Sequence, residues 1–309
     1  VKGKTDIFKC SLYDYADDQF GLKDMFVSVK SFVNYNFFKK NLNNGIYRYE
    51  GLLVEFMDVI KYGKLDLFRS NIDKIRKIIG SDFVTVLVPD KSMYLPDEML
   101  KIDYSDVLEY LDMEILDIYE ILSMDDYYST DLHWNHDGAY NAYERIIEKL
   151  TGDTPIEVDF EKLNDYFKGY YSNKAMDLDI RDEIYAGYNE IIEGLKISYT
   201  DDLENYYEKT GPYFLEQLDG DDKYDVYLNG NHPILTITNE SCDNDSELII
   251  FKDSYANSIA PFLAMHYSKV TMVDLRIVNL ERIVNDLNDD ADILCLYGYK
   301  TVQDGAIMN

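Results

Sequence analysis

Apolar residues recur at helical spacing at Phe68, Ile72, Ile75 and Ile79, and Gly80 follows them as a stop signal. The run Phe83-Val84-Thr85-Val86-Leu87-Val88, rich in β-branched residues and closed by Pro89, then predicts a buried strand. Ala139, Tyr143, Ile146 and Leu150 mark one face of a second helix. Towards the C-terminus the alternation is regular. A strand at Leu248 to Phe251 precedes a helical pattern at Ile259, Phe262, Leu263 and His266, and a strand at Val270 to Val273 precedes one at Leu280, Ile283, Val284 and Leu287. Ile293 to Leu296 closes the series as a further strand. Strands and helices that alternate in this way wind around a parallel sheet, so the expected fold is α/β, a three-layer α/β/α sandwich with a mainly parallel sheet.

The texture changes between these flanks. From 153 to 246 strong strand signals are lacking, tyrosines thicken between Tyr166 and Tyr227, and Gly169, Gly187, Gly194, Gly211, Gly220 and Gly230 break the pattern. This predicts one α/β core built from 1–152 and 247–309, with 153–246 as an irregular or loosely helical insertion packed on it.

A length of 309 residues allows that arrangement, and 46% hydrophobic with 29% charged residues places the chain among folded proteins. The net charge of −29 sets a polyanion at a disadvantage, so no nucleic acid and no anionic membrane surface is expected as a partner. Short acidic clusters such as Asp221-Asp222 and Asp289-Asp290 read as solvated surface. No run approaches the roughly 18 apolar residues of a membrane span. The chain begins at Val1, not Met, which leaves room for a segment removed upstream. Cys10, Cys242 and Cys295 are odd in number and far apart, which suggests neither a disulfide framework nor a zinc ribbon but three unpaired thiols.

Two segments carry candidate chemistry at places where an α/β sheet gathers function. In Thr130-Asp131-Leu132-His133-Trp134-Asn135-His136-Asp137, Asp131 and His133 lie two apart, so in an extended segment both leave one face and the carboxylate orients the imidazole. The plain alternative makes Asn135 or Asp137 a helix cap, Trp134 a packing anchor and both histidines surface residues. In Phe251-Lys252-Asp253-Ser254-Tyr255-Ala256-Asn257, Ser254 stands where a strand gives way to a helix, with free N–H groups at hand for an oxyanion. There the alternative is simple capping by Asp253 or Ser254. A Ser nucleophile, a His base and an Asp orienter together meet the requirement of serine-type acyl transfer.

The T-D-L-H-W and K-D-S-Y-A-N segments, with V-P-D-K, Y-L-N-G-N-H-P and M-V-D-L-R elsewhere, resemble the DHHW family of bacterial proteins. That family is SGNH hydrolase-like and related to the alginate O-acetyltransferase group, and in these permuted relatives Asp-x-His precedes the Ser, as here. Leu132 replaces the first His of the family's motif, and Lys252 replaces the Gly of Gly-Asp-Ser. The resemblance implies Ser254 as nucleophile, His133 as base and then acid, and Asp131 as orienter. Tyr297, which follows the last strand at the edge where function gathers and for which core or rim packing is the plain alternative, and Lys252 are weaker candidates for contact with substrate. By the resemblance, oxyanion donors would be the Ser254 N–H with Asn231 or Asn257, and Trp134 and Asp253 would be supports. It also implies an O-acetyltransferase or esterase with an acyl donor, no cofactor, a cell-surface carbohydrate as acceptor and an extracellular location. Lys252, Lys269 and Arg276 could form a basic patch for a polyanionic polymer, and the tyrosines of the insertion could form a platform for sugar rings. Two other readings stand beside it: a surface module on the same fold that binds glycan or protein without catalysis, and a metal-dependent hydrolase using Asp131, His133, His136 and Asp137, with His232 or His266 as a further ligand.

Overall fold

The structure, a computed structural model, describes residues 42–80, 83–175, 177 and 179–308. Cys10 lies outside them, while Cys242 and Cys295 are free thiols. Three short strands, β1 (Leu42–Asn43), β2 (Ile46–Tyr49) and β3 (Leu52–Glu55), pair antiparallel. The stripe Leu65, Phe68, Ile72 and Ile75 then forms α1 (Tyr62–Ile79), closed by Gly80 in the left-handed conformation, and β4 (Val84–Val88) follows. Next come α2 (Tyr104–Leu111) and α3 (His136–Leu150). β5 (Asp159–Phe167) and β6 (Asp182–Tyr188) pair antiparallel on either side of α4 (Tyr170–Ala175). After α5 (Glu190–Gly194) the chain forms β7 (Lys196–Thr200), β8 (Tyr206–Thr210) and β9 (Ile234–Thr238). It ends through β10 (Glu247–Lys252), α6 (Ala256–Leu263), β11 (Lys269–Val273), α7 (Leu280–Ile283), β12 (Asp292–Gly298) and α8 (Tyr299–Asp304).

Seven strands make the central sheet in the order β4-β12-β10-β11-β9-β7-β8. The first four run parallel, and β9, β7 and β8 add antiparallel pairings at the other edge. Alternation along β10 shows why there are three layers. Leu248 and Ile250 enter a core shared with Ala139 and Tyr143 of α3 and Ile259 and Leu263 of α6. Ile249 and Phe251 enter a second core with Phe68 and Ile72 of α1, Val107 of α2 and Val302 of α8.

The expectation of an irregular insertion over 153–246 is corrected by this sheet. Residues 196–238 supply three of its strands, and Gly187 lies inside β6. The strands are short, and Ile-Leu-Thr-Ile-Thr of β9, with its inward Leu235 and Ile237, has the alternation that the surrounding glycines and tyrosines obscured. His266 also lies past the end of α6, where its ring takes Tyr143 Oη at 2.7 Å and faces Asp153. Among the described residues no helix is long and apolar enough to cross a membrane.

Truncation of Ile250, fully buried at the centre of the sheet, is expected to cost about 2–5 kcal/mol of unfolding free energy. Urea denaturation of Ile250→Ala checks it; a loss below about 1 kcal/mol would contradict the packing described.

Candidate active site

The carboxyl ends of β10 and β12 and the loop before α3 meet at one place. Lys252 ends β10, and Asp253 turns the chain towards α6. Its buried carboxylate accepts from Tyr255 N at 3.0 Å and from Gly298 N, at the end of β12, at 2.8 Å. Asp253 therefore ties two strand ends together, and Ser254 caps nothing with its hydroxyl. Ser254 Oγ instead lies 2.7 Å from His133 Nε2, and His133 Nδ1 lies 2.6 Å from Asp131 Oδ1. Ser254 is half-buried, whereas Asp131 and His133 are buried, which removes the surface reading of His133.

The link between Asp131 and His133 is not the common face of an extended segment. Asp131 Oδ1 also accepts the backbone N–H of His133 at 3.0 Å, a local side-chain turn that folds the imidazole back onto the carboxylate. Leu132 packs between core clusters, and its carbonyl accepts Tyr255 Oη at 2.6 Å. Asp131 Oδ2 takes Tyr170 N at 2.7 Å. Burial opposes ionisation of Asp131, but His133 beside it and the N–H groups of His133 and Tyr170 hold the carboxyl down to about 2.

The loop itself is pinned from behind. Lys91, with no exposed surface, donates to the carbonyls of Tyr128 and Asp131 at 2.7 Å each and of Ser129 at 3.4 Å. Asp182 accepts the N–H groups of Ser129 and Thr130 at 2.7 Å each. A Cβ at Gly169 would land inside the van der Waals shell of Asp131, so only glycine lets α4 approach the carboxylate. Tyr224 lies flat on His133, with ring centroids 3.9 Å apart and planes 6° apart. Its hydroxyl meets Ser258 Oγ at 3.0 Å and Ser254 O at 3.4 Å. Trp134 is buried, donates to Ser258 Oγ at 2.8 Å and meets Tyr255 edge to face, while Asn135 caps α3 on Gly138 N as the alternative reading supposed. Sequence reasoning missed Lys91, Gly169 and Tyr224 as members of this assembly; V-P-D-K marked the first, and nothing distinguishes Tyr224 among 29 tyrosines.

Other candidates fall elsewhere. Tyr297 is fully buried on the α1 side of the sheet, edge-on to Phe68, and does not reach the rim. Asn257 is buried and its amide N–H groups face Gly230 O and Asn231 Oδ1, so it supports the neighbouring loop and offers no free donor. Asn231 is exposed. Lys252 is only 2% exposed, Lys269 pairs with Glu247 at the opposite end of the sheet, and Arg276 pairs with buried Asp274, so the three form no basic patch. Of the tyrosines from 166 to 227, Tyr171, Tyr213, Tyr224 and Tyr227 are core, while Tyr166, Tyr170, Tyr206 and Tyr207 are exposed. His136 stacks on Tyr185 beside Asp137, and His232 pairs with Asp201. Among the described residues no three His, Cys, Asp or Glu side chains converge as a metal site would need.

No protein-family model and no curated protein matches the chain. Solved structures do match. A DHHW family protein from Eubacterium siraeum superposes with a TM-score of 0.65 at 19% identity, covering 87% of this chain and 97% of that one. Bacillus cereus PatB1 with a sulfonyl adduct gives 0.69 at 17% identity, covering 85% and 98%, and a second PatB1 structure gives 0.66 at 18%, covering 83% and 96%. At these identities the likeness is one of fold, and the fold is the one the resemblance implied.

Gly169→Ala is expected to displace Asp131 and to slow chemistry at Ser254 by about 10²-fold or more, as small misplacements at a reacting centre do; near-normal rates in a serine-reactivity assay would contradict the contact. Because the folded Asp131 carboxyl ionises below its unfolded value, its contribution to stability is complete above about pH 4 and lost as pH falls towards 2. Asp131→Asn should therefore be less stable than wild type at neutral pH, with a gap that narrows in acid; urea unfolding across pH 3–7 checks this, and a gap independent of pH would refute it.

Proposed function

We propose that the protein catalyses serine-type acyl transfer on an ester, as an O-acetyltransferase or esterase of a cell-surface carbohydrate, outside the bacterial cell. The observation that carries the reading is the continuous chain from Ser254 Oγ through His133 to Asp131, with contacts of 2.7 and 2.6 Å. Ser254 Oγ attacks the acyl carbon as its proton passes to His133 Nε2, and the carbonyl electron pair moves to oxygen. Collapse of that intermediate breaks the ester bond, and His133 returns the proton to the departing alkoxide. The acyl group then passes from Ser254 to an alcohol or to water by the reverse sequence, and Asp131 stabilises the imidazolium in both halves.

Among the described residues the Ser254 N–H has no hydrogen-bond partner, which suits it to the oxyanion. Asn231 is the second donor in this reading. Tyr170 is exposed and begins the helix whose N–H binds Asp131, a suitable rim position for stacking a sugar ring. The assignment to acetyl groups and to a surface polymer rests on the sequence resemblance.

A sulfonyl fluoride tests the nucleophile, because a sulfur–oxygen bond forms at an activated serine as fluoride leaves; PatB1 has been observed with a sulfonyl adduct. Wild type should be modified at Ser254 alone. Ser254→Ala and His133→Ala should abolish modification, and Asp131→Asn should slow it about 10³–10⁴-fold. Unmodified wild type, or labelling that survives Ser254→Ala, would overturn the reading and leave a non-catalytic module.

A further inference from the structure

Lys252 occupies an unusual place: an ammonium buried beside the nucleophile turn, only 2% exposed, with no carboxylate at ion-pair distance among the described residues. Its Nζ donates to Asn231 Oδ1 at 2.7 Å and to Asn257 Oδ1 at 2.6 Å. An ammonium has donors and no acceptor, so both amides must turn their oxygens towards it. For Asn257 the consequence is internal, since its N–H groups go to Gly230 O at 3.0 Å and towards Asn231 Oδ1 at 3.4 Å. For Asn231, whose oxygen is held twice, the amide NH₂ is forced to the opposite side, and it has no partner among the described residues. Asn257 N in turn donates to Ser254 O at 3.1 Å, so the nucleophile, Asn257, Lys252 and Asn231 form one connected group.

We propose that Lys252 is a positioning residue that acts through Asn231, locking its amide so that the NH₂ faces the acyl oxygen held over Ser254. This rests on the acyl-transfer reading above. A glycine at this position would leave both Asn oxygens without their shared donor, and the Asn231 amide free to rotate. The lysine fixes in advance a donor that would otherwise be oriented only when the oxyanion forms, and preorganisation of that kind is where oxyanion donors gain their effect.

The charge belongs to the same device. Burial pushes the Lys252 ammonium down to about 8, and nearby Arg276 acts in the same direction. The carboxylates of Asp274 at the end of β11, Asp253 in the turn and Asp225 over Gly230 oppose the shift and keep it protonated at neutral pH. Deprotonation gives the nitrogen a lone pair and removes the demand that both oxygens face it.

The test is a double-mutant cycle on the first-order acylation of Ser254 by an activated aryl acetate, with thermal unfolding of each variant as the control. Asn231→Ala should slow acylation about 10²-fold, Lys252→Met about 10- to 100-fold, and the double variant should be no slower than Asn231→Ala alone. Lys252→Met removes a buried donor and a charge that faces buried carboxylates, so some thermal stability is lost; acylation is compared at a temperature where every variant remains folded, which separates positioning from loss of the fold. A second measurement needs no lysine variant: wild-type acylation should fall as pH rises through about 8, and Asn231→Ala should lack that fall. Additive losses, an unaffected Lys252→Met, or an alkaline fall that persists in Asn231→Ala would overturn the proposal while Ser254 remains reactive. A wild type inert at Ser254 would overturn it together with the reading on which it rests.

Discussion

A carboxylate taken out of water must be surrounded by donors, and the neighbourhood of Asp131 is built to that requirement. One oxygen takes the imidazole and the backbone N–H of His133, and the other takes Tyr170 N. Each donor comes with an element that must then hold its position. α4 can bring its N–H close only because residue 169 is glycine, and the loop is held in shape by Lys91, which gathers three of its carbonyls, and by Asp182, which takes two of its N–H groups. Satisfying one buried charge thus fixes a helix, a loop and the orientation of an imidazole together.

The sheet supplies the other half of the geometry. β10 and β12 are parallel neighbours, so their carboxyl ends lie side by side, and Asp253 joins them through Gly298 N. That clamp sets the turn in which Ser254 stands. Tyr224, brought in from the segment before β9, closes the face of His133 and is itself anchored on the Ser254 turn. Three separated stretches of chain therefore define the position of one imidazole.

Much of this was legible in the chain. The periodicities of 68–88 and 248–296 placed the helices and strands of the parallel half, because buried parallel strands are continuous apolar runs with a strong signal. Asp131, His133 and Ser254 stood out because together they meet the requirement of serine-type acyl transfer, although each motif alone also reads as an ordinary helix start. The antiparallel half was hidden: β8 is the edge strand and β7 lies next to it, and half-exposed strands such as Lys-Ile-Ser-Tyr-Thr carry little apolar contrast. Tyr297 was a candidate from its place after the last strand and Asn257 from its place in the K-D-S-Y-A-N segment, but side-chain direction, which a sequence does not encode residue by residue, sends the first into the core and the second to Lys252. Lys91 and Tyr224 act over long sequence separations, and no local pattern announces a contact of that kind.

The central claim is that Ser254 carries the acyl group. Rapid acid quench after mixing with an activated acetyl ester, followed by mass analysis of the peptides, tests it without reference to the natural substrate. The account predicts one acetyl group on the peptide containing Ser254, formed at the rate of the first turnover and absent in His133→Ala. Turnover of the ester with no acetyl on that peptide, or with acetyl on another residue in the same proportion, would contradict it.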